Sequence, residues 1–310
     1  MENFRSDYKV ERNKKMYEEY INTDISFNKL ALKYNISPQR ARYIINDLKN
    51  KGLNKTLDLK SGKKAKDEYK KAAVELRESG KHSLALEMFE QVYKWEKAKN
   101  ETKDVMDVLG HIKITLVSMA EKTNNAQKKK EHMNQAQEAT QEALELGKKD
   151  KSIKPGTLAI QKVHLGSLIA DEALLFKGTE EQNKLKESIK LFDDALKNFP
   201  GSKAHKAWPL GNKAKSLILL KEYEKALKTL QEAQQALFAG YEEEMSNKDQ
   251  GNLKLRVWNS GVMLGFAAVY AKSNKPLLAE VYASAVINTP DPDGILTNRK
   301  KQAKTILENL

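Results

Sequence analysis

Six polar side chains with recognition chemistry crowd into ten residues: Ser37, Gln39, Arg40, Arg42, Tyr43 and Asn46. Gln offers a donor and an acceptor that match adenine, and Arg offers a fork of donors that matches guanine. Bond-making chemistry has much less to work with. There is no cysteine, so there is no disulfide, thiolate metal site or thiol nucleophile. The five histidines stand at 82, 111, 132, 164 and 205, and none has a ligand partner four residues on. No HExxH, GxSxG or glycine-rich phosphate loop occurs. Asp291-Pro-Asp-Gly294 has the start of a calcium loop without its closing ligands and reads as a turn. Paired carboxylates such as Asp193-Asp194 fall on polar helix faces. The expectation is a non-enzyme that needs no cofactor and no metal.

The recognition cluster needs a helix to present it. Met16, Tyr17, Tyr20 and Ile21 make an apolar stripe within a helix over 11–21. Ser26 caps a second helix that runs to about Tyr34, with Leu30, Ala31 and Tyr34 inward. Asn35 tolerates the left-handed conformation of the turn that follows. Ser37 caps a third helix, Pro38 fits its first position, and Gly52 is a plausible end. Its inner face is Ala41, Ile44, Ile45 and Leu48.

Position by position, this stretch resembles a helix-turn-helix DNA-binding unit. Leu30-Ala31 match its apolar-small pair, Asn35 its turn residue, Ile36 its buried corner, and Ala41 and Ile44 its inward positions. The resemblance implies that the outward residues of the third helix enter the major groove. Gln39, Arg40 and Tyr43 would then meet bases, with Ser37 and Asn46 beside them. Arg42, Lys49 and Lys33 would lie nearer phosphates.

Charge supports a polyanionic partner. The chain carries 55 Lys and Arg against 42 Asp and Glu, a net of +13. Residues 1–66 hold 16 basic and 8 acidic residues, so a fifth of the chain carries more than half of the excess. Residues 51–66 are lysine-rich with glycines at 52 and 62, and read as a basic linker.

From residue 67 to 310 the apolar period is helical throughout. Leu-Gly recurs at 109–110, 165–166, 210–211 and 264–265, where a small residue would let a neighbouring helix approach. A second pattern, a small residue, a bulky or variable one four on and a small or apolar one three further, recurs as Ala85, Phe89, Val92; Ser188, Phe192, Ala195; Ala226, Leu230, Ala233; and Ala279, Ala283, Val286. Both patterns resemble tetratricopeptide (TPR) repeats. The steps of 38 and 53 residues from Ser188 to Ala226 and Ala279 exceed the 34 of that family, so longer helices or added loops must intervene. The resemblance implies an all-α chain: a helix-turn-helix bundle over 1–50, a linker over 51–66, and a TPR-like solenoid of about five hairpins over 67–310. The segment from Leu296 would cap its open end. The solenoid groove would bind a short peptide or protein through Trp208, Asn212 and Lys215, with His111, Ser167, Asn259 and Phe266 at comparable places.

The combination is similar to peptide-sensing transcriptional regulators of Gram-positive bacteria and their phages. It implies a homodimer that binds double-stranded DNA and a peptide signal. The alternative is a TPR scaffold that assembles protein partners without reading DNA sequence. No apolar run reaches the ~20 residues of a membrane span, and residues 1–15 lack a signal-peptide core, so a cytoplasmic location is expected.

Overall fold

The computed structural model describes residues 12–13, 15–17, 19–20, 25–53, 63–246 and 251–310, excluding the side chains of 48–53, 64 and 65. Among the described residues every regular element is helical, and there is no strand. The expected linker falls largely on residues 54–62, which lie outside the described residues. No described helix is long and apolar enough to cross a membrane. The chain divides into two compact units, Met1–Lys99 and Asn100–Leu310. This division falls 33 residues after the expected start of the array at 67, because the hairpin that ends at Lys99 groups with the first unit.

In the first unit, residues 12, 13, 15–17, 19 and 20 are helical, followed by α1 (Phe27–Lys33) and α2 (Pro38–Leu53). Ser26 caps α1 by accepting from the Lys29 amide. The turn after α1 is built by Asn35, whose φ of 49° places it in the left-handed region. That lets the Ile36 amide reach back to the Ala31 carbonyl and the Asn35 amide to the Leu32 carbonyl, which occupies two carbonyls otherwise left without helical partners. Met16, Leu30, Ile44 and Ile45 form the buried core, with Tyr17, Tyr20, Phe27, Tyr34 and Ile36 packed around it. Gly52 does not end α2, which runs one residue further to Leu53. The second half of the unit is a hairpin of α3 (Lys63–Glu78) and α4 (His82–Lys99). Lys66, read as a linker lysine, is buried there. Its ammonium lies 2.5 Å from Glu96 and 2.8 Å from Asp67. Burial alone would depress its pKa, but the two carboxylates more than reverse that and hold it above the usual lysine range.

The second unit is a succession of helices in chain order. They are α5 (Thr102–Lys122), α6 (Ala126–Lys149), α7 (Pro155–Ala173), α8 (Thr179–Leu196), α9 (Ala207–Leu219), α10 (Tyr223–Ala239), α11 (Tyr241–Met245), α12 (Gly251–Lys272), α13 (Pro276–Asn288) and α14 (Thr297–Glu308). A 3-10 turn, Lys203–Lys206, precedes α9. Helices pack in pairs, α5 on α6, α7 on α8, α9 on α10 and α12 on α13, and each pair packs on the next. The short α11 and the segment after it, inserted between α10 and α12, account for the long step from Ala226 to Ala279. The left-handed residues Lys221 and Asn274 make the tight turns of two of these hairpins, as Gly80 does between α3 and α4.

All twelve residues of the small-bulky-small pattern are fully buried, from Ala85 to Val286. The Leu-Gly pattern divides. A side chain at Gly166 would begin 2.9 Å from the Phe192 ring, and one at Gly265 would begin 2.6 Å from Leu230. At Gly110 and Gly211 nothing lies within 4 Å. Close approach of a neighbouring helix explains the first two glycines and not the others.

Candidate functional site

The N-terminal recognition cluster lies on one open face of α2. The Ser37 hydroxyl accepts from the Arg40 amide at 3.1 Å and so caps the helix it starts. Ala41, Ile44 and Ile45 are buried, which fixes the roll of α2 and turns the remaining side chains outward. Ser37, Gln39, Arg40, Arg42, Tyr43 and Asn46 are all exposed. The Arg40 guanidinium sits 5.1 Å from the centre of the Tyr43 ring, and Arg42 sits 5.3 Å from that of Phe27. These cation–π contacts restrain two long side chains on an open surface. Lys33 is engaged elsewhere. Its ammonium is 2.7 Å from Glu19, whose other oxygen accepts from the Tyr34 hydroxyl at 3.0 Å. The hydrogen bond from Lys33 holds the Glu19 carboxyl below its usual range. Lys33 therefore ties α1 to the preceding helical residues. The Lys49 side chain lies outside the described residues.

A cleft of about 570 Å³ lies in the second unit. Helix α12 forms its floor through Trp258, Gly261, Val262, Gly265 and Ala268, which recur at helical spacing on one face. One wall is α9, with Trp208, Gly211, Asn212, Lys215 and Ile218. The other is α14, with Arg299, Lys301, Gln302, Thr305 and Ile306. Three residues named from sequence, Trp208, Asn212 and Lys215, meet here. Gly211 lines the cleft beside them, with nothing within 4 Å of where a side chain there would begin. Trp208 also packs edge-on against His164 and Phe199, so its ring is part wall and part core. Trp258 meets His205 edge-on at 4.8 Å. The Lys215 ammonium is 2.7 Å from Asp171.

The other residues assigned to a groove are not brought together. Phe266 is a correction. It is 2% exposed and stacks on Tyr282 at 4.8 Å, because its helix face turns toward α10 and α13 rather than the cleft. Asn259 lines a separate cleft of about 360 Å³ with Phe238, Tyr241 and Met245. Ser167 spends its hydroxyl on the Val163 carbonyl at 2.9 Å. His111 lies on α5, with its ring 4.0 Å from Asp107. Sequence reasoning missed the α14 wall, and Arg299 above all. The only signal was that the last segment is basic and then apolar.

The second unit also holds buried titratable groups. Lys113 is buried and its pKa is pushed down to about 8 by desolvation. His164 is pushed down to about 3, first by burial and then by the charge of Lys113. A second group joins the 3-10 turn to α11 and α12. The buried Glu244 carboxylate accepts from the Ser202 hydroxyl at 2.8 Å, with His205 at 3.3 Å and Lys254 at 3.4 Å. Burial opposes its ionisation, but these partners outweigh burial and hold it below the usual carboxylate range.

No family model matches the chain, and no curated protein matches its sequence.

Proposed function

We propose that the chain is a DNA-binding transcriptional regulator with a ligand-responsive helical domain. The supporting observation is the open face of α2, where Gln39, Arg40, Arg42, Tyr43 and Asn46 stand exposed on a capped helix whose opposite face is buried. In this reading the first unit begins with a helix-turn-helix head. Ser37, Gln39, Arg40 and Tyr43 approach base edges in the major groove, while Arg42 and Asn46 flank them. The hairpins of the second unit form a TPR-like array, and its larger cleft takes a short peptide. Asn212, Trp208 and Lys215 line that cleft. The amide of Asn212 can bond both the donor and the acceptor of a peptide backbone. Two protomers pair and present their heads to half-sites ~34 Å apart. The peptide acts only by the difference of its affinities for the competent and incompetent forms.

The test is selection of DNA from a random duplex pool with the full-length chain, repeated across salt. A palindromic sequence bound at least ~10³-fold tighter than random DNA is the expected result. Equal binding to all sequences that disappears as salt rises would leave only a charge interaction. A second reading, a scaffold for protein partners, is favoured by Leu277 and Val281. They are 77% and 63% exposed on one face of α13 and leave apolar surface open for docking.

A further inference from the structure

The larger cleft has an unbalanced lining. Three cations, Lys215, Arg299 and Lys301, face it, and among the described residues no carboxylate does. Lys215 is already paired with Asp171. Arg299 is not paired with an acid. Its guanidinium donates to the Val257 carbonyl and, at 2.9 Å, to the Ser260 hydroxyl, both neutral. No described Asp or Glu oxygen lies within ion-pair distance of it. Gly261 lies against it, with the guanidinium carbon 3.5 Å from where a side chain there would begin. Burial holds Arg299 below its usual pKa range, which marks a cation partly stripped of water. A desolvated charge with only neutral partners is costly, and a carboxylate matched to the guanidinium fork relieves that cost.

We propose that the cleft binds an acidic peptide and that Arg299 holds one of its carboxylates. The proposal rests on the reading of the cleft as a peptide site. Trp258, Val262, Ile218 and Ala268 offer apolar surface next to the charge. The occupant therefore combines a carboxylate with apolar side chains. At about 570 Å³ the cleft suits a few residues of extended chain, within the usual size of a ligand site. The helix that carries Arg299, α14, is thus a binding wall.

The carboxylate has two possible sources, an acidic side chain or the peptide C-terminus. Three fluorescent heptapeptide pools separate them, each apolar at six positions. The first has Glu at the centre and an amidated end, the second has Gln and an amidated end, and the third has Gln and a free carboxylate. Each is titrated against the full-length chain by anisotropy, with intrinsic fluorescence reporting Trp208 and Trp258. The first or third pool is expected to bind about tenfold tighter than the second, with tryptophan emission changing in step. Arg299→Gln should remove the preference. Thr305→Glu, an exposed change on the same wall, should do so by repulsion if Arg299→Gln does not fold. Equal binding of all three pools overturns the acidic preference and leaves the peptide reading intact. No binding by any pool overturns both.

Discussion

Lys113 and His164 are held in the folded interior with protons bound more weakly than in an unfolded chain, and this gives each a definite pH signature. Lys113 has a folded pKa of about 8, against ~10.4 when unfolded. The unfolded chain binds the proton first as pH falls, so stability drops between ~10.4 and about 8 and is level below. Lys113→Met is expected to remove that slope and to stabilise the protein at neutral pH by about 1–3 kcal/mol, read from urea unfolding at pH 7 and 9.5. For His164 the window runs from ~6.5 down to about 3, and stability is lost as pH falls through it. A His164→Gln variant should show a shallower acid limb over that range. On the open face of α2, Arg40→Ala should cost about 1–3 kcal/mol on a preferred DNA site and flatten discrimination at one base position, measured by competition binding. Unchanged discrimination would remove Arg40 from the base-reading set. Residue types and spacing pointed to the outward face of α2. They could not reveal that Lys33 is committed to Glu19, because a contact across 14 residues depends on how two helices meet.

Helices were the most legible level of the sequence. Ser26, Asn35, Ser37 and Pro38 each announce a start or a turn through local chemistry, and each stands where that chemistry acts. The small-bulky-small pattern marked buried faces because only a face in constant contact with a neighbour needs that sequence of sizes. The Leu-Gly pattern was ambiguous for the same reason. A glycine is required wherever a helix comes close, and it is equally tolerated where nothing does. Alanine substitution separates the two cases. Gly110→Ala and Gly211→Ala add no clash and should stabilise by about 0.5–1 kcal/mol through lower backbone entropy in the unfolded chain. Gly166→Ala and Gly265→Ala push against Phe192 and Leu230 and should destabilise by about 1–3 kcal/mol, seen in thermal melts. Equal melting temperatures across the four would refute the distinction. Phe266 shows where periodicity runs out. It falls at the same helical spacing as a groove residue, and the difference of one face is set by where α10 and α13 pack.

Along the chain, more than half of the excess positive charge falls in residues 1–66, while the residues that line the larger cleft fall between 207 and 306. DNA affinity should fall steeply with salt, with a slope of about −0.9 per phosphate neutralised. Arg42→Ala should lower that slope by about one without changing sequence preference. Trp208, Asn212 and Lys215 were legible as one wall of the cleft, but the α14 wall was not, because no local signal states which earlier helices that segment will lie beside. That placement has a kinetic consequence. Among the described helices α14 packs chiefly on α12 and α13, and an element with few packing neighbours opens at lower free energy than one packed on several sides. Because α14 carries Arg299, a ligand held by that residue would be released when α14 lifts from α12 and α13. Residence time would then follow how often this helix lifts, and amide hydrogens between 297 and 308 should exchange more slowly when the cleft is filled.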